Sequence, residues 1–386
     1  MTHQERLDSN FELRTLNFET VQRTPDRRAT RTLLSVVLVA LALATTASPA
    51  LAQETGVPAD TRRVAVDTVI GTQDYVDDDG SSPAQYVVDA FTTAQIRPHW
   101  QVSFRPKVWR TRGDWEGLVD QLSVETDFHR GSNWRIEAGR FPMPIGLGMT
   151  ENRADLNAGM IWWHRAYYMP LPSLGADVPR VSLVSAVYPE GVQVSTSGAH
   201  WDARAALVDR APVQFWHAAP GSTRGPNGVL GGGVTPWQGF RLGAGVAWGP
   251  FADATDARGG LDYRMASVEG EYAFGYTKIS GEWTHDRFET MAGDRRSWGW
   301  TLQAQQTLTP RIFVHVRASG ITSPDVSRSV PTTTIDRAYR SIDTTIGYRL
   351  TPQLTLRLGH TAMRGFTSSR YDQQAGFSFM WTRRWW

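Results

Sequence analysis

In several stretches of the chain apolar residues fall on every second position. Ile312, Val314, Val316 and Ala318 alternate with Phe313, His315, Arg317 and Ser319, and Leu354, Leu356 and Leu358 alternate with Thr355, Arg357 and Gly359. Ile342 to Tyr348 and Val268 to Phe274 repeat the pattern. A period of two puts all the greasy side chains of a strand on one face and the polar ones on the other. Short turns of recurring chemistry join such segments: Leu308-Thr309-Pro310-Arg311-Ile312, Leu350-Thr351-Pro352-Gln353-Leu354 and Val234-Thr235-Pro236-Trp237. Proline there fixes φ and ends the ladder. A second kind of turn is followed at once by tryptophan, as in Arg97-Pro98-His99-Trp100, Gly131-Ser132-Asn133-Trp134 and Ala199-His200-Trp201.

Alternation fits any half-buried sheet, so the surroundings of the greasy face must decide. After residue 52 no apolar run is long enough for a spanning helix, yet all 16 Trp lie there. A soluble domain gathers tryptophan in one core, whereas a transmembrane barrel spreads aromatics over two interfacial girdles. The expected fold is therefore an all-β transmembrane antiparallel β-barrel, with the Trp-flanked short turns at its periplasmic end. Good strands read at 86–95, 100–111, 116–128, 134–146, 189–198, 200–209, 239–249, 264–275, 276–287, 297–308, 311–321, 339–350, 353–364 and 371–385. Direction of travel then requires an outgoing strand before the first, at 64–71, and an inward one in the Gly-rich stretch before Thr235-Pro236. The count becomes about 16, even as bacterial barrels require. The chain ends on Phe377, Phe379, Trp381 and Trp385, which looks like the last strand of outer-membrane proteins, although Trp386 adds one position.

The charges fit the same geometry. Arg105, Lys107, Arg135, Arg204, Arg241, Lys278, Arg317, Arg349 and Arg357 share the polar parity with Glu125, Asp127, Glu137, Asp202, Glu269, Glu271, Glu282 and Asp343. On the lipid face a midplane Arg or Lys costs about 2–4 kcal/mol, so these side chains belong in the lumen.

The first 52 residues read as an export signal. Leu33 to Ala44 is apolar apart from Ser35, follows Arg23, Arg27, Arg28 and Arg31, and precedes Ala50-Leu51-Ala52. The run is short of the roughly 20 residues of a membrane anchor, so cleavage after Ala52 is expected, leaving 53–386 as the barrel. Glu5, Asp8, Glu12 and Glu19 sit badly in such a signal and point to a start near Val21. Arg27-Arg28 is an incomplete twin-arginine motif, and Sec export is expected. The absence of Cys excludes both disulfides and lipoprotein anchoring. The expected location is the outer membrane of a Gram-negative-type envelope, with outer-membrane lipid as a partner.

Forty basic against 38 acidic residues give no footprint for nucleic acid. The sequence contains no Gly-x-Ser-x-Gly elbow, His-Glu-x-x-His pair or complete phosphate loop. No catalytic residue, metal ligand or cofactor is expected, and the reading is not an enzyme. An outer-membrane barrel hydrolase of the lipase type and a secreted all-β binding protein remain as alternatives.

One connection, 147–186, is too long for ordinary linkage and falls between the fifth and sixth strands. Asn152 to Met169 has helix-compatible spacing with Trp162, Trp163, Tyr167 and Tyr168 as its aromatic body. It is expected either to fold inward and narrow the lumen or to lie as an aromatic lid over the mouth. Its approach, Gly139-Arg140-Phe141-Pro142-Met143-Pro144-Ile145-Gly146-Leu147, resembles a segment of the phosphate-selective porin O and P family, a likeness covering roughly 135–200. The resemblance implies a channel for small polar solutes or ions with an arginine-lined lumen, anion passage and, as in porins, a homotrimer. Lys107 and Lys278 are the only lysines of this chain, so where the family uses specific lysines only Arg residues could take part here. Candidate constriction residues are Arg105, Lys107, Arg135, Arg140, Glu151, Arg153, Asp155 and Arg165.

Overall fold

The computed structural model describes residues 64–77, 80–81, 84–111, 114–127, 133–147, 153–161, 169–174, 178–184, 188–214, 225–253, 260–323, 338–366, 368 and 370–385. The expected export signal and the N-terminus expected at Gln53 lie outside them. All regular structure in these residues is strand. In chain order the strands are β1 (Val64–Asp77), β2 (Gly80–Ser81), β3 (Gln85–Arg97), β4 (Trp100–Thr111), β5 (Asp114–Asp127), β6 (Trp134–Arg140), β7 (Glu190–Ser197), β8 (Trp201–Val208) and β9 (Asn227–Trp237). They continue as β10 (Phe240–Asp253), β11 (Gly260–Phe274), β12 (Thr277–Phe288), β13 (Arg295–Thr307), β14 (Ile312–Thr322), β15 (Ala338–Arg349), β16 (Leu354–Arg364) and β17 (Asp372–Trp385). β2 is a two-residue extension at the tip of the first hairpin, paired with Val76 and Asp77. The other sixteen form a closed antiparallel barrel, each pairing with its sequence neighbours, and β1 closes on β17 from Val66↔Trp385 to Asp77↔Gln374. Closure leaves no unpaired edge, the condition for a sheet in lipid.

The polarity is inverted relative to a soluble domain. Leu302, Ile346 and Leu358 are 56, 58 and 62% exposed on the outside, while their neighbours Thr301, Thr345 and Arg357 are 2, 2 and 3% exposed on the inside. Two aromatic girdles bound the outer band. Trp100, Trp134, Trp201 and Trp237 stand exposed at the short-turn end, where Trp237 stacks on Phe240 at 4.6 Å. Towards the other end stand Trp115, beside Tyr86 at 6.3 Å, and Trp248.

The structure changes the expected elements in two places and supplies the inferred strand in a third. β1 runs on to Asp77 rather than stopping at 71. The strand expected at 134–146 ends at Arg140, because Gly139 has φ +119° and Pro142 and Pro144 follow it. A side chain at Gly139 would also collide with the Leu122 carbonyl of β5. The long connection therefore begins at Phe141, six residues earlier than its expected start. The inward strand inferred from direction of travel is β9. Its Gly231-Gly232-Gly233 hides the alternation, and the glycines are needed: a β-carbon on Gly232 would lie 2.5 Å from the Asp202 carbonyl and one on Gly233 would meet Arg241.

Candidate functional site

The site is the inner wall together with the connection that follows β6. Several of the inward charges are matched across the wall. Arg317 donates to Asp343 at 2.8 Å, and Thr361 donates to the other oxygen of that carboxylate. Arg241 reaches both Asp202, at 3.0 Å, and Glu269, at 2.5 Å. Lys278 pairs with Glu271 at 2.7 Å, and Arg135 with Glu125 at 3.3 Å. Arg317 stands directly opposite Asp343, Lys278 and Arg135 reach their partners diagonally, and Arg241 reaches Asp202 across the glycines of β9, so opposite charges pair on the polar inner face.

On β3 to β5 the wall is denser. Arg105 donates to both oxygens of Asp89, at 2.9 and 2.5 Å, and through its other amino group to the Tyr188 hydroxyl at 2.6 Å. Asp120 lies 3.9 Å from Arg105. Asp120 points inward against the parity of its strand because it is the extra residue of a β-bulge opposite Arg105 and Pro106, and proline has no N–H to give the ladder. Arg105, Lys107, Asp89 and Asp120 are all buried. Tyr188 covers this cluster as the long connection returns to the wall, and Arg140 donates to its carbonyl at 3.1 Å.

The described parts of the connection lie against the inner wall. Phe141, Met143 and Ile145 are buried in one cluster with Val229, Ala247, Phe251, Met265 and Ile321 of the wall. Leu147 N–H donates to Glu282 of β12 at 3.0 Å, and Gly146, at φ +78°, comes so close that a β-carbon would collide with that carboxylate. Further on, Asn157 organises a tight turn by accepting from Gly159 N–H and donating to the Met160 carbonyl, both at 3.0 Å. Arg357 of β16 donates to the Gly159 carbonyl at 2.7 Å. Met160 meets Ser378 of β17, and Ile161 packs with Val69, Val87 and Trp109 of β1, β3 and β4. The segment thus leaves β6, touches the wall at β12 and reaches the β16–β17–β1 side.

Of the candidate constriction residues, Arg105, Lys107 and Arg140 come together around Asp89 and Tyr188. Arg153 and Asp155 pair with each other at 2.7 Å, and Arg153 lies over the Phe91 ring at 5.0 Å. Arg135 stands apart near the short-turn mouth, its side chain 59% exposed. Glu151 and Arg165 lie outside the described residues, as do Trp162, Trp163, Tyr167 and Tyr168. Over 153–161 the expected helix is a single turn, with Leu156 and Asn157 N–H both donating to the Arg153 carbonyl at 3.1 Å. Asp89, Asp120 and Tyr188 were not candidates. Asp89 sits among Val87, Val88 and Ala90, where nothing marks it, and the signal for Asp120 was Pro106 on the neighbouring strand.

A closed sixteen-stranded sheet, apolar outside and charged inside, with one connection lodged against its inner wall, is a porin-like barrel. No protein-family model and no curated protein sequence matches the chain. Solved structures do match. The outer membrane channel DcaP of Acinetobacter baumannii aligns with TM-score 0.56 at 7% identity, over 83% of this chain and 97% of that one. The anion-selective porin from Comamonas acidovorans aligns with TM-score 0.54 at 12% identity, over 83 and 99%. Outer-membrane expressed OmpT of Vibrio cholerae aligns with TM-score 0.54 at 10% identity, over 83 and 97%. At such identities the likeness is one of fold, and the resemblance to phosphate-selective porins stays with the Gly139–Leu147 segment.

Proposed function

We propose that the protein is an outer-membrane channel through which small polar solutes or ions diffuse passively. The observation that carries this reading is the connection after β6, which meets Glu282 on one side of the wall and Arg357 on another, as a segment narrowing the lumen would. A passive conduit also suits the inner wall better than a barrel hydrolase does, since its carboxylates at Asp89, Asp202, Glu269, Glu271 and Asp343 are engaged by cations.

The candidate constriction residues divide by exposure. Arg105 and Arg140 hold the returning chain through Tyr188, while Arg153, Asp155 and Arg135 are the members that meet permeating solute. Among the described residues Arg204, Arg349 and Arg357 have no carboxylate within ion-pair distance, which favours a modest preference for anions. A closer kinship with phosphate-selective porins, carried by the Gly139–Leu147 segment, predicts block of chloride current by phosphate. The comparison with the anion-selective porin supports the same direction through fold alone.

Planar-bilayer recording on the folded full chain tests the reading. Ohmic single-channel steps with a reversal potential displaced towards the anion potential are expected, and deletion of 152–169 should enlarge the steps. Absence of conductance from correctly folded barrels, or turnover of ester substrates by them, would overturn it.

A further inference from the structure

At the short-turn end the inner wall holds a cavity of about 190 Å³, whose lining includes Gln95, His99, Gln101, Glu125, Asp127 and Arg135. The register explains why these side chains converge. Gln95 of β3 stands opposite Gln101 of β4, and Gln101 opposite Glu125 of β5, while Asp127 stands opposite Arg135 of β6. These five share the inward parity of their strands. The β3–β4 turn closes the lower edge: Gln95 Nε2 donates to the Pro98 carbonyl at 3.0 Å, and Asp127 N–H donates to the His99 carbonyl at 3.2 Å.

The charges in this cavity are uneven and loosely held. Two carboxylates face one guanidinium. Arg135 Nη1 stands 3.3 Å from Glu125, and its Nε stands 3.7 Å from Asp127, beyond hydrogen-bond reach. No hydrogen bond among the described residues engages Arg135 Nη2, the Gln101 amide or the His99 ring. Another arginine at the same mouth shows the contrast. Arg384 grips Asp67 with two hydrogen bonds, at 2.8 and 3.1 Å, and that pair is closed on itself.

A ligand for the cavity must answer both signs at once. A simple anion entering it meets two carboxylates, and a simple cation meets the guanidinium. A solute carrying an ammonium and a carboxylate a single carbon apart offers each group its opposite, through charge-assisted hydrogen bonds. The volume is below the roughly 300–1,000 Å³ of pockets that enclose drug-sized ligands, so the occupant is small. We propose that this cavity binds a free α-amino acid, its ammonium between Glu125 and Asp127 and its carboxylate on the open edge of Arg135 beside Gln101. The inference rests on the channel reading and gives it a solute class.

Saturation-transfer NMR on the full chain folded in detergent tests it, with L-alanine as probe. Propionate and ethylammonium, which each keep one of its charged ends, serve as comparisons. Binding of alanine on the order of millimolar is expected, about fivefold tighter than either comparison, the scale of an exposed charge pair. Arg135→Gln should weaken alanine by a similar factor and leave ethylammonium no weaker. Asp127→Asn should weaken both, and Arg384→Gln should change neither. Equal affinity for alanine and either comparison, alanine binding indifferent to Arg135→Gln and Asp127→Asn, or no binding of alanine would overturn the proposal. Binding is read here without current, so its absence strikes the cavity alone. Missing conductance from the same folded barrels strikes the channel reading instead.

Discussion

The guanidinium of Arg357 donates a 2.7 Å hydrogen bond to the carbonyl of Gly159, 198 residues earlier in the chain. It fastens the turn at Asn157–Ile161 to the wall on the side away from β6. Arg357 is buried there, and its other amino group faces Met380 Sδ at 3.6 Å.

Replacing Arg357 by methionine keeps the stem and removes the donor. A buried carbonyl left without a partner costs about 1–3 kcal/mol, enough to free the turn from the wall. Arg357→Met is expected to fold, to conduct with larger and noisier single-channel steps, and to unfold at lower urea. Unchanged step size and noise would show that this bond does not hold the constriction.

Gly146 is the second fastening. Alanine there must adopt φ near +78° and occupy the place of the Glu282 carboxylate. Strain of this kind destabilises by about 1 kcal/mol or more. Gly146→Ala should lower the urea midpoint and raise conductance, and adding Glu282→Ala should recover part of the loss by removing the clash while the backbone strain persists. Full recovery in the double variant would show that φ at this position is of no consequence.

What the sequence made legible follows from how each strand is built. β14, β15 and β16 could be read residue by residue because Val316 against Arg317, Ile342 against Asp343 and Leu358 against Arg357 contrast strongly across one period. β9 could only be inferred, since Gly231-Gly232-Gly233 answers to the close approach of β8 and β10 and carries no contrast of its own. The start of the long connection was misplaced because Phe141, Met143 and Ile145 keep a period of two beyond β6, although on the parity of Arg135 and Glu137 rather than that of Trp134 and Ile136. They do so while packing on the opposite wall, and period two cannot tell one apolar surface from another. Asp120 was hidden by a bulge whose cause, Pro106, sits on a different strand.

The pair Arg105 and Asp89 makes a stability prediction. Both are buried, so Arg105→Ala leaves a carboxylate without its partner, a change that costs about 3–5 kcal/mol. Arg105→Met with Asp89→Leu removes both charges and should cost much less than Arg105→Ala alone. Urea unfolding in vesicles followed by tryptophan fluorescence reads the order of the variants. If the double variant is the less stable, the cluster contributes more through Tyr188 and Asp120 than through the pair itself.

Arg135 makes the prediction that bears most directly on selectivity. Its guanidinium is 59% exposed at the short-turn mouth, 3.3 Å from Glu125 and 3.7 Å from Asp127. In so open a position the pair stabilises the fold by about 1 kcal/mol at most, so Arg135→Gln should fold normally. Its effect should be electrical, because the substitution uncovers two carboxylates at an entrance every ion must cross, and a confined polar mouth magnifies a small charge imbalance. Reversal potential under a salt gradient should move towards the cation value. The displacement should shrink as ionic strength rises and the screening length falls to about 3 Å at 1 M salt. Glu125→Gln should move the potential the opposite way. A reversal potential indifferent to both substitutions at low salt would place the selectivity of this channel beyond the short-turn mouth, at Arg153, Asp155 and the returning chain.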